Sequence, residues 1–220
     1  MSAKAVVFDL DGTLVDSPGA ITEITGAILR EMGFERSDAD IRATVGKPLD
    51  RNLANLMRLE AGHPEIARAM ALYRERFGLH VRERGEKLLY PGVREGLGKL
   101  REHGLLIALA TSKTLDGAQK TVRATNIADR FDTLVGDDMV EEGKPGPAMA
   151  LYAADMLETK PERCTVVGDT AGDVLMGRRA GMEAIGVTYG VGTPDELVSA
   201  GAGRCADSFD DVVALLLEQP

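Results

Sequence analysis

Short apolar runs alternating with stretches of helical spacing set the pattern of the chain. Ala5-Val6-Val7-Phe8 is an apolar run that reads as a buried strand closed by Asp9. Runs of the same type recur at 105–110, 165–167 and 184–187, with weaker ones at 133–135 and 204–206. Between them the apolar positions return with helical periodicity, predicting helices over 93–102, 115–125, 148–157, 171–180, 195–200 and 209–217. Thr193-Pro194-Asp195-Glu196 marks one helix start, with a capping threonine, a first-turn proline and an acidic third residue. Strand alternating with helix predicts a parallel sheet covered on both faces, a doubly wound α/β fold.

Residues 17–87 break the alternation. Helical spacing appears at 20–31, 38–44, 49–61 and 64–76, with no strand pattern among them. The predicted organisation is therefore an α/β core from residues 1–16 and 88–220, with an all-helical domain at 17–87 inserted after the first strand. Leu89-Tyr90-Pro91-Gly92-Val93 is the expected return point, because proline and glycine together mark a turn.

Composition narrows the function. The chain has 220 residues, 44% of them hydrophobic, enough for a core of this kind. The net charge of −9 argues against a nucleic-acid partner, which demands a basic footprint. No apolar run approaches the ~20 residues that span a bilayer, so no membrane role is expected. Met1-Ser2-Ala3-Lys4 leads at once into the first strand, which predicts no signal peptide and a cytoplasmic location. Cys164 and Cys205 form neither a CxxC pair nor a disulfide framework. No feature sets an oligomeric state.

The chemistry concentrates at strand ends. In Phe8-Asp9-Leu10-Asp11-Gly12-Thr13-Leu14-Val15-Asp16-Ser17, two carboxylates lie just past the first strand, where open α/β sheets place their ligand crevice. Carboxylates so close are held by a cation, or divide the roles of nucleophile and acid/base; a solvated acidic turn has the same residues. Gly12 allows a sharp turn away from the site. Thr111-Ser112 ends the run at 105–110, where hydroxyls and backbone N–H groups hold phosphate oxygens or simply cap the next helix. Lys144 stands between Gly143 and Pro145 in a loop, as a point charge for phosphate or as an ordinary solvated lysine. Asp169 follows Val166-Val167-Gly168 in the geometry of Asp9, and Asp173 lies one helical turn on. Gly190-Val191-Gly192 lacks the length of a nucleotide-binding GxGxxG and reads as a loop before the next helix.

Taken together, these four segments resemble the motifs of the haloacid dehalogenase superfamily, in its phosphatase branch, in the order that family requires. The resemblance spans the whole chain. It implies a Rossmann-like core with a helical cap, Mg²⁺ as cofactor and a small phosphorylated metabolite as substrate. Asp9 would be the nucleophile that becomes an aspartyl-phosphate, and Asp11 the acid and base. Mg²⁺ would be held by the Asp9 carboxylate, the Asp11 backbone carbonyl and Asp169. Gly12, Thr111, Ser112 and Lys144 would bind the phosphate, and Asp173 would orient Lys144 or metal-bound water. The presence of Asp11 argues against dehalogenase and phosphonate-cleaving relatives, which lack that carboxylate. Ile21 stands where β-phosphoglucomutase-like members carry a histidine, which favours a hydrolase over a mutase. A non-catalytic relative binding a partner through its cap would be expected to have lost motif residues, and all are present. Thr-Val-Gly-Lys-Pro-Leu at 44–49 looks most like the phosphoglycolate phosphatase-like subgroup. There Lys47, with Arg51, would meet a second anionic group on the substrate.

Overall fold

The first strand, β1 (Ala5–Phe8), is apolar at every position and buried at every position. Its side chains alternate between two faces, as a strand requires. Val6 and Phe8 join one apolar cluster, and Ala5 and Val7 join another on the opposite side. Each larger side chain so buried stabilises the fold by about 1.5–3 kcal/mol, which makes β1 a firm base for the residues that follow it. The computed structural model describes residues 4–218; Met1–Ala3, which lead into this strand, lie outside them.

Five more strands complete one sheet: β2 (Leu106–Thr111), β3 (Thr133–Gly136), β4 (Cys164–Gly168), β5 (Glu183–Val187) and β6 (Arg204–Ala206). Their order is β3-β2-β1-β4-β5-β6, and every neighbouring pair is parallel. All six strands lie where the apolar runs predict them. The chain first builds outward from β1 to β3, then returns to the other side of β1 at β4. That reversal opens a crevice between the carboxyl ends of β1 and β4.

Helices cover both faces of the sheet. On the side of Phe8 lie α5 (Val93–Glu102), α6 (Leu115–Ala124) and α10 (Phe209–Leu217). Phe8 and Phe209 pack with ring centroids 5.7 Å apart. On the side of Val7 lie α7 (Ala148–Met156) and α8 (Ala171–Arg179), through Met149, Ala153 and Met176. The short α9 (Pro194–Ser199) buries Leu197 beside Val174 and Ala184. Its start has the capping arrangement expected from the sequence: the Thr193 hydroxyl accepts from the Glu196 N–H, and the Glu196 carboxylate accepts from the Thr193 N–H.

Between β1 and α5 stand four helices, α1 (Pro18–Glu31), α2 (Asp38–Arg42), α3 (Leu49–Met57) and α4 (Pro64–Arg84). All four depart from the predicted bounds: α1 starts two residues earlier and α2 ends two residues sooner, while α3 and α4 differ by more. The pattern predicts a helix over 64–76, yet α4 continues to Arg84, because Phe77 and Val81 extend the buried stripe of Ile66, Ala69 and Tyr73. It stops at Gly85, whose φ of 50° lies in the left-handed region. The expected helix over 49–61 ends earlier, at Met57, where Arg58 turns left-handed and the Leu59 N–H donates to the Ala54 carbonyl. The chain segments into and out of the insertion pair with each other: Val15 bridges Leu89 antiparallel, and the Asp16 N–H donates to the Leu88 carbonyl at 2.7 Å. Among the described residues, no helix is long and apolar enough to cross a membrane.

Candidate active site

The carboxyl ends of β1, β2 and β4 bring Asp9, Thr111 and Asp169 to one crevice, and the loop before α7 delivers Lys144. Asp9 leaves β1 with its N–H still bonded to the Val167 carbonyl of β4, so its backbone belongs to the sheet. Asp9, Asp169 and Asp173 are all buried, and each presents a carboxylate oxygen within 4.8 Å of the others. Lys144, its side chain 3% exposed, forms ion pairs with Asp9 and, at 2.6 Å, with Asp173. The peptide bond from Lys144 to Pro145 is cis.

One ammonium does not balance three buried carboxylates. Burial pushes the Asp9 carboxyl up to about 7, against the opposing pull of Lys144 and with further upward pressure from Asp173 and Asp11. Burial also holds Asp169 well above the usual carboxylate range, and the charges of Asp9 and Asp173 add to it. Lys144 is raised in turn, as the two aspartates outweigh its own desolvation. The donor set is entirely carboxylate oxygen, which suits a hard divalent cation such as Mg²⁺ and not a thiolate- or imidazole-seeking metal.

Close backbone approach shapes the cluster around Asp169. Gly12 has φ of 89°, and a Cβ there would lie 2.1 Å from an Asp169 carboxylate oxygen. Gly190 is equally tight, its added Cβ falling 2.4 Å from the same carboxylate. The Val191 N–H donates to Asp169 Oδ2 at 2.8 Å, and the Thr13 hydroxyl donates to Oδ1 at 3.2 Å. The segment Gly190-Val191-Gly192 is thus a loop before α9, as its sequence suggests, but it also cradles Asp169. Sequence reasoning missed that role. The available signal was a pair of glycines one residue apart beyond a strand.

Other predicted residues have specific partners. The Gly12 N–H donates to the Val15 carbonyl at 2.9 Å, which closes the turn. Thr111 is buried, and its hydroxyl accepts from the Lys113 N–H at 3.3 Å. The Ser112 hydroxyl donates to the Gly46 carbonyl at 2.7 Å, tying the insertion to the core across the crevice. Gly46 itself lies against Thr170, with room for no more than a tight Cβ contact at 3.0 Å. Asp173 accepts from both the N–H and the hydroxyl of Thr170, and so caps α8 while it pairs with Lys144. Lys47 and Arg51 are exposed at the start of α3. The Asn52 amide donates to the Thr44 and Lys47 carbonyls, which fixes the loop that carries Lys47.

Asp11 is set apart from the acidic trio. Its carboxylate accepts from the Ser17 hydroxyl at 2.5 Å and pairs with Lys113 Nζ at 2.9 Å. Two carboxylates separated by one residue therefore stand in different environments: one against a lysine and two acids, the other against a hydroxyl and a different lysine. Divided environments of this kind allow divided acid–base roles.

Comparison with known proteins gives this geometry a family. The model of the haloacid dehalogenase-like hydrolases matches residues 6–187. The probable phosphatase IndB of Dickeya dadantii is 38% identical over 209 residues, covering 94% of this chain and 91% of that protein. A phosphoglycolate phosphatase of Chromobacterium violaceum is 32% identical over 218 residues, covering 97% and 96%. The crystal structure described as a predicted phosphatase from Clostridium acetobutylicum superposes with a TM-score of 0.83 at 28% identity, over the full length of both chains. With its motifs gathered at one crevice and its relatives matched almost end to end, the chain belongs to the haloacid dehalogenase-like hydrolase family.

Proposed function

We propose that this protein is a Mg²⁺-dependent phosphomonoester hydrolase that works through an aspartyl-phosphate on Asp9, with a small phosphoglycolate-like metabolite as substrate. The observation that carries the reading is the buried trio Asp9, Asp169 and Asp173 around Lys144, beside a separately held Asp11. Mg²⁺ would be held by Asp9, Asp169 and the Asp11 backbone carbonyl. When bound, it supplies the positive charge that lets an anionic nucleophile approach an anionic phosphate.

The residues then divide the work. The Asp9 carboxylate forms a bond to phosphorus while the ester P–O bond opposite breaks. Asp11 gives its proton to the leaving oxygen. It then takes a proton from the water that attacks the acyl-phosphate and frees inorganic phosphate. Lys144 holds Asp9 in its attacking orientation and faces the charge that develops on the phosphoryl oxygens, which Thr111 also meets. Residues 17–87 act as a cap that excludes water, with Ser112 and Gly46 as one point of closure and the paired segments around Val15 and Leu89 as hinges. Ile21, in place of a histidine, supports hydrolysis over phosphosugar mutation.

Release of inorganic phosphate from a panel of small esters tests this directly, with and without Mg²⁺ and beside Asp9→Asn. Metal-dependent release lost in the variant is the expected result. A folded, Mg²⁺-loaded enzyme that releases phosphate from no ester would overturn it.

A further inference from the structure

Among the described residues, Lys113 is a half-buried cation beside the crevice that the reaction above does not use. It follows Thr111-Ser112 at the end of β2, and its side chain is 15% exposed. Its Nζ lies 2.9 Å from Asp11 Oδ2 and 4.2 Å from the centroid of the Phe77 ring, which α4 brings over the crevice. Tyr73, one turn earlier on α4, stacks on Phe77 with centroids 5.4 Å apart and planes 7° from parallel. The negative charge of Asp11 and the Tyr73 phenol both act on the Lys113 ammonium, so that acid, cation and phenol stand close together.

We propose that Lys113 is the specificity-determining residue of this site, and that its ammonium binds an anionic group carried by the leaving alcohol close to the ester oxygen. The inference rests on the phosphatase reading, because that reading brings the leaving oxygen to Asp11. An oxygen hydrogen-bonded to the Asp11 carboxyl lies within about 6 Å of Lys113 Nζ. A carboxylate attached to the carbon that bears the ester oxygen then falls within ion-pair reach of the same nitrogen.

The surroundings favour an anion there. An ammonium has three donors. Asp11 takes one and the Phe77 ring covers another side, so a third remains for a ligand. With an aromatic ring over it and little solvent, a charge contact at Lys113 is stronger than one at the surface. Lys47 and Arg51 are exposed and screened by comparison. Lys144 is already committed to Asp9 and Asp173. The stacked pair Tyr73 and Phe77 also limits the space beside the ammonium. The substrate class that fits is the phosphate ester of a small 2-hydroxy acid.

The test compares two esters with the same carbon count, 2-phosphoglycolate and ethyl phosphate, on the Mg²⁺-loaded wild type, Lys113→Met and Lys113→Arg. The wild type is expected to prefer 2-phosphoglycolate. Lys113→Met should reduce kcat/KM for 2-phosphoglycolate about 10- to 100-fold more than for ethyl phosphate, and Lys113→Arg should restore part of that preference. Equal losses on both esters would overturn the proposal and reduce Lys113 to a support for Asp11. A wild type with no preference for the acidic ester would overturn it as well. A wild type that hydrolyses no ester at all would instead defeat the phosphatase reading on which the proposal stands. Because the methionine variant can lose its fold, the wild type gives a second readout. Glycolate should inhibit it competitively where ethanol at the same concentration does not, and a lack of inhibition by both would also overturn the proposal.

Discussion

Asp9→Asn should make the metal-free protein more stable, not less, and by an amount that grows with pH. In the fold, the Asp9 carboxyl is raised from 3.8 to about 7, chiefly by burial. A carboxyl raised on folding binds its proton more tightly in the native state. Stability is therefore fully present below pH 3.8 and is lost as pH rises toward 7. At about 1.4 kcal/mol per tenfold change in proton affinity, the raised Asp9 carboxyl costs the metal-free fold about 2 kcal/mol near pH 5, where it is still protonated in the fold but ionised in the unfolded chain, and about 4 kcal/mol at pH 8. Asparagine keeps the shape without the charge and leaves Lys144 paired with Asp173 alone. Urea unfolding in EDTA at pH 5 and pH 8 should show the variant ahead at both values, with the wider gap at pH 8. Saturating Mg²⁺ should then narrow or reverse the order, since it stabilises the protein that binds it more tightly, by about 2.7 kcal/mol at a hundredfold excess over Kd. A variant less stable than the wild type at pH 8 without metal would refute the reasoning, because the acidic trio would then be balanced without a cation.

Three further outcomes follow from single contacts. Gly12→Ala places a Cβ 2.1 Å from an Asp169 oxygen at a φ of 89°; it should cost about 2 kcal/mol or more in thermal unfolding and reduce phosphate release by at least about tenfold. Ser112→Ala removes the hydroxyl that holds the Gly46 carbonyl; a loss of about 1 kcal/mol should appear as roughly a fivefold rise in KM, with stability little changed. Gly96→Ala would normally favour a helix, but its Cβ would meet Phe209 at 2.6 Å and Val213 at 2.8 Å; urea unfolding should show a net loss of about 1–3 kcal/mol with kcat preserved.

Much of this architecture was legible along the chain because its signals are local. Each strand is a short apolar run, and the switch to helical spacing after Asp16 exposes the insertion without reference to any other segment. Asp9, Thr111, Lys144 and Asp169 could be picked out because each sits just past such a run or in a glycine–proline loop. Their convergence depends on strand order, and the parallel arrangement around β1 supplies it. What escaped was long-range. Lys113 looks like an ordinary residue at a helix start until α4, about 40 residues earlier, brings Phe77 over it. Gly190 and Val191 look like a plain loop until Asp169 is seen enclosed between them and Gly12. The extra turns of α4 were hidden because Gly78, an exposed Leu79 and His80 separate Phe77 from Val81 and blur the helical spacing, and only burial identifies Phe77 and Val81 as one stripe.

The most direct test of the account is to look for phosphate on Asp9 itself. The Mg²⁺-loaded enzyme should be mixed with a rapidly hydrolysed ester, quenched in acid within one turnover, digested and analysed by mass spectrometry. The account predicts one phosphate on the peptide that contains Asp9, present in the wild type and absent from Asp9→Asn. Turnover of the ester with no phosphate on that peptide at any quench time, or phosphate on another residue, would contradict it.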